Sequence, residues 1–180
     1  MNPLPAAPSP TERLILRPLT EADAPFILAL LNSPDWLKYI GDRGVHNVED
    51  ARNYLKEKYF PVYKTPGCGP MACVLKTDGT IIGNTGVYDR PGLDLPDFGF
   101  AFLPKYHGQG YAYEASVANM AYAQQMGHRE LLAITLPNNR PSIRLLEKLG
   151  FKREKEMIRL PNDEDELLLL RWKNKEKQAL

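Results

Sequence analysis

The chain has 180 residues, 43% of them hydrophobic, and its 23 basic and 22 acidic side chains leave a formal charge of +1. That length suits one domain with a sizeable core, and the charge balance gives no electrostatic reason to expect a nucleic-acid binder. The N-terminus has neither a cationic start nor an apolar run, and no apolar run in the sequence is long enough to cross a membrane, so a soluble cytoplasmic protein is expected. Cys68 and Cys73 have no second cysteine pair to complete a zinc site, and His46, His107 and His128 are scattered; two reduced thiols and no metal are expected.

In chain order, residues 1–10 are rich in proline and alanine and read as a loose tail. Residues 13–18 read as a short strand. Thr20-Glu-Ala-Asp23 has the form of a capping box, which opens a helix running to about Asn32. Ser33-Pro34 breaks it, and a short helix over residues 35–40 ends at Gly41. Asn47 caps a helix to about Tyr59, with Glu49 and Asp50 in its first turn. Residues 64–70 carry two prolines and two glycines and predict a loop. Strands over 71–76 and 80–88 flank the turn Thr77-Asp-Gly-Thr80. After a loop over 89–96, residues 98–103 are apolar and aromatic, a strand that Pro104 stops. Gly108-Gln109-Gly110 makes a corner, and residues 111–126 have helical spacing, closed by Gly127. A strand over 131–136, a helix over 142–149 ended at Gly150-Phe151, and strands over 152–160 and 166–173 around the turn at 161–164 complete a single domain over 11–173. A charged tail follows over 174–180.

The expected fold is therefore mixed α/β. One parallel βαβ crossover spans residues 98–136, hairpins make the rest of the sheet antiparallel, and helices lie on both faces. Strand, glycine corner and helix in that order present free backbone N–H groups at a helix N-terminus, a favourable seat for phosphate. The dinucleotide fingerprint fails, because Tyr113 stands where its third glycine belongs and the next strand ends in Leu136-Pro137 rather than an acid. No Gly-Lys-Ser/Thr sequence supports a Walker A loop.

A third pattern fits better. His107-Gly-Gln-Gly-Tyr-Ala112 resembles the acyl-CoA loop of the GNAT acetyltransferases, Arg/Gln-x-x-Gly-x-Gly/Ala, with His107 in the place of the usual Arg or Gln. Asn139-Arg-Pro-Ser142 and Leu146-Glu-Lys-Leu-Gly-Phe151 resemble a second segment of that family, one strand and one turn later. Arg13-Leu-Ile-Leu-Arg-Pro18 and the strand with Ile82, Gly83 and Gly86 extend the likeness, which resembles the RimJ/RimL-like branch and spans residues 11–172. It implies a mostly antiparallel sheet with a splayed parallel pair, acetyl-CoA as donor, no metal and an amine acceptor; a homodimer is compatible with it.

The resemblance also assigns residues. The amides of Gly108, Gln109, Gly110, Tyr111 and Ala112, with His107 beside them, would surround the pyrophosphate. Phe102 and Leu103 would pair with the pantetheine arm, Asn139 would meet its amides, and an N–H near Leu103 would hold the oxyanion. Asp97 is the leading base, with Glu114 and His107 as alternatives. Leu146 stands where many family members place a tyrosine acid, which leaves Ser142 to orient the sulfur. Trp36, Asp42 and Arg43 fall on the acceptor side. The acceptor is a protein N-terminal amine or a small-molecule amine. The rival reading is a CoA-binding sensor or interaction domain without catalysis.

Overall fold

The computed structural model describes residues 7–161 and 163–174, so parts of both expected tails and Asn162 of the last turn lie outside the described residues. The elements are β1 (Leu14–Pro18), α1 (Ala24–Leu31), α2 (Pro34–Tyr39), α3 (Val48–Tyr54), β2 (Gly69–Leu75), β3 (Ile81–Tyr88), β4 (Asp97–Phe102), α4 (Tyr111–Gln125), β5 (Glu130–Thr135), α5 (Arg140–Lys148), β6 (Lys152–Ile158) and β7 (Leu167–Lys173). The strands form one seven-stranded sheet in the order β1-β2-β3-β4-β5-β7-β6, antiparallel throughout except for β4 and β5. The expected mixed α/β architecture is the observed one.

Local chemistry accounts for the helix ends. The Asp23 carboxylate accepts the Thr20 N–H at 2.8 Å and is gripped by both terminal nitrogens of Arg17 at 2.7 and 2.8 Å. Burial pushes the Asp23 carboxyl up, but the Arg17 fork and Thr20 together outweigh it and hold it below its ordinary value. Asn47 Oδ1 accepts the Asp50 N–H, and Asn139 accepts the Ser142 N–H, each a side-chain cap on a helix start. At the far end of α5, Phe151 N–H reaches Leu146 O and Gly150 N–H reaches Glu147 O, with Gly150 at φ +95. That is the Schellman ending, and it folds Phe151 onto Leu146 in the core.

Two boundaries differ from the sequence reading. The helix expected to reach Tyr59 leaves α-geometry after Tyr54, widens through Leu55–Tyr59, and tightens into a 3-10 turn at Phe60–Lys64. Pro61 lacks the N–H that an α ladder would need there. In addition, β2 begins at Gly69 and includes Pro70. Strand β1 ends with Pro18 opposite Met71, so Pro70 lies where one flank of β2 is open and its missing donor is tolerated.

Helices cover both faces, as the alternation in β2 makes plain. Ala72 and Val74 join the cluster under α1 and α3, while Met71 and Cys73 join the one under α4. A third cluster, with Phe98, Leu131, Leu146 and Leu170, packs beneath α4 and α5. Each fully buried leucine contributes about 1.5–3 kcal/mol of transfer free energy. The two edges differ: β6 is exposed and alternates charge, which blunts it against pairing with other chains, whereas β1 shows Ile15 to solvent. Both cysteines are free and buried, which pushes the Cys68 thiol up to about 11 and the Cys73 thiol higher still. Among the described residues no helix is long and apolar enough to cross a membrane.

Candidate active site

The parallel pair β4–β5 is joined at one register position, Asp97 opposite Leu132, where the Leu132 N–H donates to Pro96 O at 2.9 Å. Beyond that rung the strands part. Two cavities meet at the gap, one of about 490 Å³ beside the glycine corner and one of about 780 Å³ toward α2 and α3. Phe100, Ala101, Asn139 and Ser142 line both, as do Trp36, Tyr39 and Ile40 from α2 and its end. Two molecules lying in the two cavities would meet at these residues.

The smaller cavity is built on backbone. Gly108 and Gly110 have φ of +70 and +82, conformations that glycine adopts without penalty, and Gly110 is the residue that opens α4. A Cβ on Gly108 would meet nothing within 4 Å, so the loop surface is open to a ligand. The free N–H groups of the first turn and the positive end of a 15-residue helix converge there. Phe102, His107, Gly108, Gly110, Tyr111 and Ala112 line this cavity, which brings most of the expected donor-binding residues together. Gln109 does not line it; its side chain donates to Lys105 O.

Two expected contacts need correction. The oxyanion is expected at an N–H near Leu103; the N–H of Leu103 itself donates at 2.9 Å to Ile82 O on the β3 side, and Leu103 lines neither cavity, which leaves the neighbouring strand amides for that role. Strand groups alternate in direction, so Phe98, Phe100 and Phe102 are the β4 residues whose N–H groups face the gap. The Phe102 carbonyl, expected to receive the pantetheine arm, accepts His107 Nε2–H at 2.7 Å, while His107 Nδ1 lies 3.5 Å from Asp35 Oδ2. His107 thus ties the corner to β4 and α2 rather than reaching for a phosphate.

The larger cavity is built on side chains. Asp97 is 2% exposed and accepts Arg90 Nε at 3.0 Å and Nη2 at 3.2 Å. Burial raises its pKa, and the Arg90 charge offsets this only in part. Arg90 escaped the sequence reading because it sat in an unassigned loop, yet closing the β3–β4 hairpin at Tyr88 opposite Asp97 brings it alongside. Tyr54, Tyr59 and Tyr88 form an aromatic wall, with centroids 5.3 Å and 6.3 Å apart in succession. Burial raises the Tyr54 hydroxyl, and the charges of Arg43 and Arg90 pull it back. Trp36 and Arg43 line this cavity as expected. Asp42 does not; its carboxylate accepts the Gly44 N–H at 2.7 Å and closes its own turn. Glu114, the alternative base, accepts Thr11 Oγ1, Arg13 N–H and Arg13 Nε at 2.6–2.8 Å and is fully committed to the N-terminal segment. Leu146 lines the cavity with an aliphatic side chain.

Comparison with known proteins gives a consistent picture. Residues 13–152 match the family model described as an acetyltransferase (GNAT) domain. An uncharacterized N-acetyltransferase of Bacillus subtilis (strain 168), YnaD, is 28% identical over 145 residues, which cover 80% of this chain and 82% of that one. A GNAT-family acetyltransferase from Bacillus anthracis superposes with a TM-score of 0.74 at 26% identity, over 93% of this chain and 98% of its own. Mycobacterium smegmatis RimJ, solved in complex with CoA-disulfide, superposes with a TM-score of 0.77 over 94% of this chain and 88% of its own, and at 18% identity it shares the fold.

Proposed function

Because this chain belongs to the GNAT family and is an acetyltransferase, we propose that it moves an acetyl group from acetyl-CoA to a primary amine, by direct attack with both substrates bound. The observation that carries this reading is the meeting of two cavities at the splayed end of β4, one walled by a glycine corner and one by an ion-paired carboxylate. Acetyl-CoA supplies an activated acyl carbon. The open, left-handed corner at Gly108 and Gly110 suits its diphosphate, and the gap between β4 and β5 suits its extended arm.

The chain's own residues then have separable tasks. The N–H groups of Phe100 and Phe102 face the gap, where one of them meets the developing oxyanion. Asp97 takes a proton from the incoming amine, directly or through water, so that nitrogen attacks with its lone pair free. Arg90 keeps Asp97 oriented. Ser142 lies on both cavities and steadies the sulfur, whose thiolate leaves readily because a thiol titrates near pKa ~8.5. The new bond is C–N and the broken bond is C–S; the second proton that the nitrogen sheds after attack passes to solvent, and the thiolate recovers one from solvent. Neither cysteine lines the two cavities, and burial keeps both protonated, which supports direct transfer over a cysteine intermediate.

The acceptor is a protein N-terminal amine, as a RimJ/RimL-like assignment would have it, or a small-molecule amine. Free-thiol release from acetyl-CoA across N-terminal peptides, polyamines and amino acids decides between them. Turnover on one class supports the reading and names the acceptor. Saturable CoA binding with no turnover on any amine would restore the sensor reading.

A further inference from the structure

Arg13 stands immediately before β1, far from the glycine corner in sequence, yet its guanidinium is built into that corner. Nε donates to Glu114 Oε2 at 2.7 Å, and Nη1 donates to the Gln109 carbonyl at 3.0 Å. Its Cζ lies 4.1 Å from the centroid of the Tyr111 ring. Nη2 stands 3.3 Å from where a Cβ on Gly110 would be. One planar group therefore touches three consecutive residues, donating along its edge while stacking on its face. Glu114 holds it from the α4 side, accepting the Arg13 N–H at 2.8 Å as well as the side chain.

This contact has a directional consequence. In a trans peptide the carbonyl and the following N–H point opposite ways. Drawing the Gln109 carbonyl toward Arg13 turns the Gly110 N–H away from it, and Gly110 lines the smaller cavity. The family's usual Arg or Gln at the head of this loop is absent, and His107 in its place is spent on Phe102 O and Asp35. The guanidinium at this corner comes from the other end of the chain.

We propose that Arg13 is a positioning residue for the donor's diphosphate, which fixes the peptide plane between Gln109 and Gly110 and adds a positive charge behind it. The role rests on the reading of the smaller cavity as the acetyl-CoA seat. A purely structural role would weaken all ligands alike; this one affects only a ligand that carries the diphosphate.

The test compares CoA with pantetheine, which has the same arm and no diphosphate, by calorimetry on the full chain. Arg13→Ala weakens CoA binding about tenfold, the scale of one charge-assisted hydrogen bond. It leaves pantetheine binding unchanged, and in turnover it raises KM for acetyl-CoA with little change in kcat. Arg13→Lys, which keeps the charge but loses the fork, recovers part of the loss. Thr11→Val removes another Glu114 contact without touching the loop, and it binds CoA as the parent does. Equal weakening of CoA and pantetheine, or no weakening of CoA, overturns the role. Should Arg13→Ala melt below the assay temperature, Arg13→Lys decides on the same ratio. A parent protein that binds CoA no better than pantetheine removes the diphosphate seat itself, and this role with it.

Discussion

The two cavities are made of different material. The smaller cavity, the proposed donor side, is backbone: a left-handed corner, a helix start and the open flank of a strand, braced by Arg13 and His107. The larger cavity, the proposed acceptor side, is side chains: a tyrosine wall, a tryptophan and a buried ion pair drawn from α2, the end of α3 and the turns after it, and the β3–β4 hairpin. A backbone site tolerates sequence change as long as its glycines stay. A side-chain site changes its preference with each substitution. This division lets one fold keep a common donor and vary the acceptor.

The largest effect expected from breaking this contrast lies at Asp97. Asp97→Asn should lower kcat by about 10²-fold or more, the usual worth of a general base, and leave the KM for acetyl-CoA near its parent value. The deficit should shrink as the assay pH approaches the pKa of the acceptor amine, because the amine then arrives deprotonated. A deficit that is constant with pH would assign Asp97 to structure alone. Next comes the corner. Gly110→Ala forces a side chain into a left-handed conformation at a cost of about 1–2 kcal/mol, and it also crowds Arg13. The KM for acetyl-CoA should rise by roughly 5–30-fold, with the acceptor KM unmoved.

A smaller change is expected from the acceptor wall. Trp36→Ala should raise the amine KM by several fold while CoA binding, measured by calorimetry, falls less. An equal effect on both would mean that α2 serves the two cavities as one. The smallest effect is on stability. Asp23 and Glu114 are both held below their ordinary pKa by their partners, against the opposing pull of burial. Their contribution is complete above the ordinary carboxylate range, about pH 4–4.5, and is lost as pH falls through the lowered values. Asp97 acts in the opposite sense: its pKa is raised, so ionising it costs stability as pH rises through that range. Thermal melts between pH 3 and 7 should therefore show a shallower acid slope in the parent than in Asp97→Asn, which keeps the first contribution and loses the second.

The same division explains what could be read from the chain. The caps at Asn47 and Asn139, the endings at Gly127 and Gly150, and the glycine corner are local, so composition and spacing reveal them. The smaller cavity is composed of such features, so many of its lining residues could be named from the chain. The tyrosine wall could not, because Tyr54, Tyr59 and Tyr88 come together only when the turns after α3 pack over the sheet. Arg90 depends on closing one hairpin, and the direction of the Leu103 amide depends on the register of β4 against β3. Period-two patterns place side chains on faces but do not say which neighbouring strand takes which amide. Asp42 is the instructive case: Gly41-Asp-Arg-Gly44 reads as a polar turn, and the Asp42 carboxylate is used to close that turn on the Gly44 N–H.

The single rung between β4 and β5 also bears on how the molecule holds together. Main-chain pairing runs continuously through β1 to β4 and through β5, β7 and β6, but among the described residues only Asp97 and Leu132 pair across the two blocks. The sheet is therefore two half-sheets joined by one register position, by α4 and by the apolar cluster of Phe98 with Leu131 and Leu170, and its main-chain pairing is thinnest along the gap. Under the proposed function, the extended arm of the donor in that gap would act as an eighth strand. Filling the gap should slow amide exchange on both flanking strands together and raise the melting temperature in proportion to the logarithm of donor concentration. On that reading the co-substrate would double as mortar.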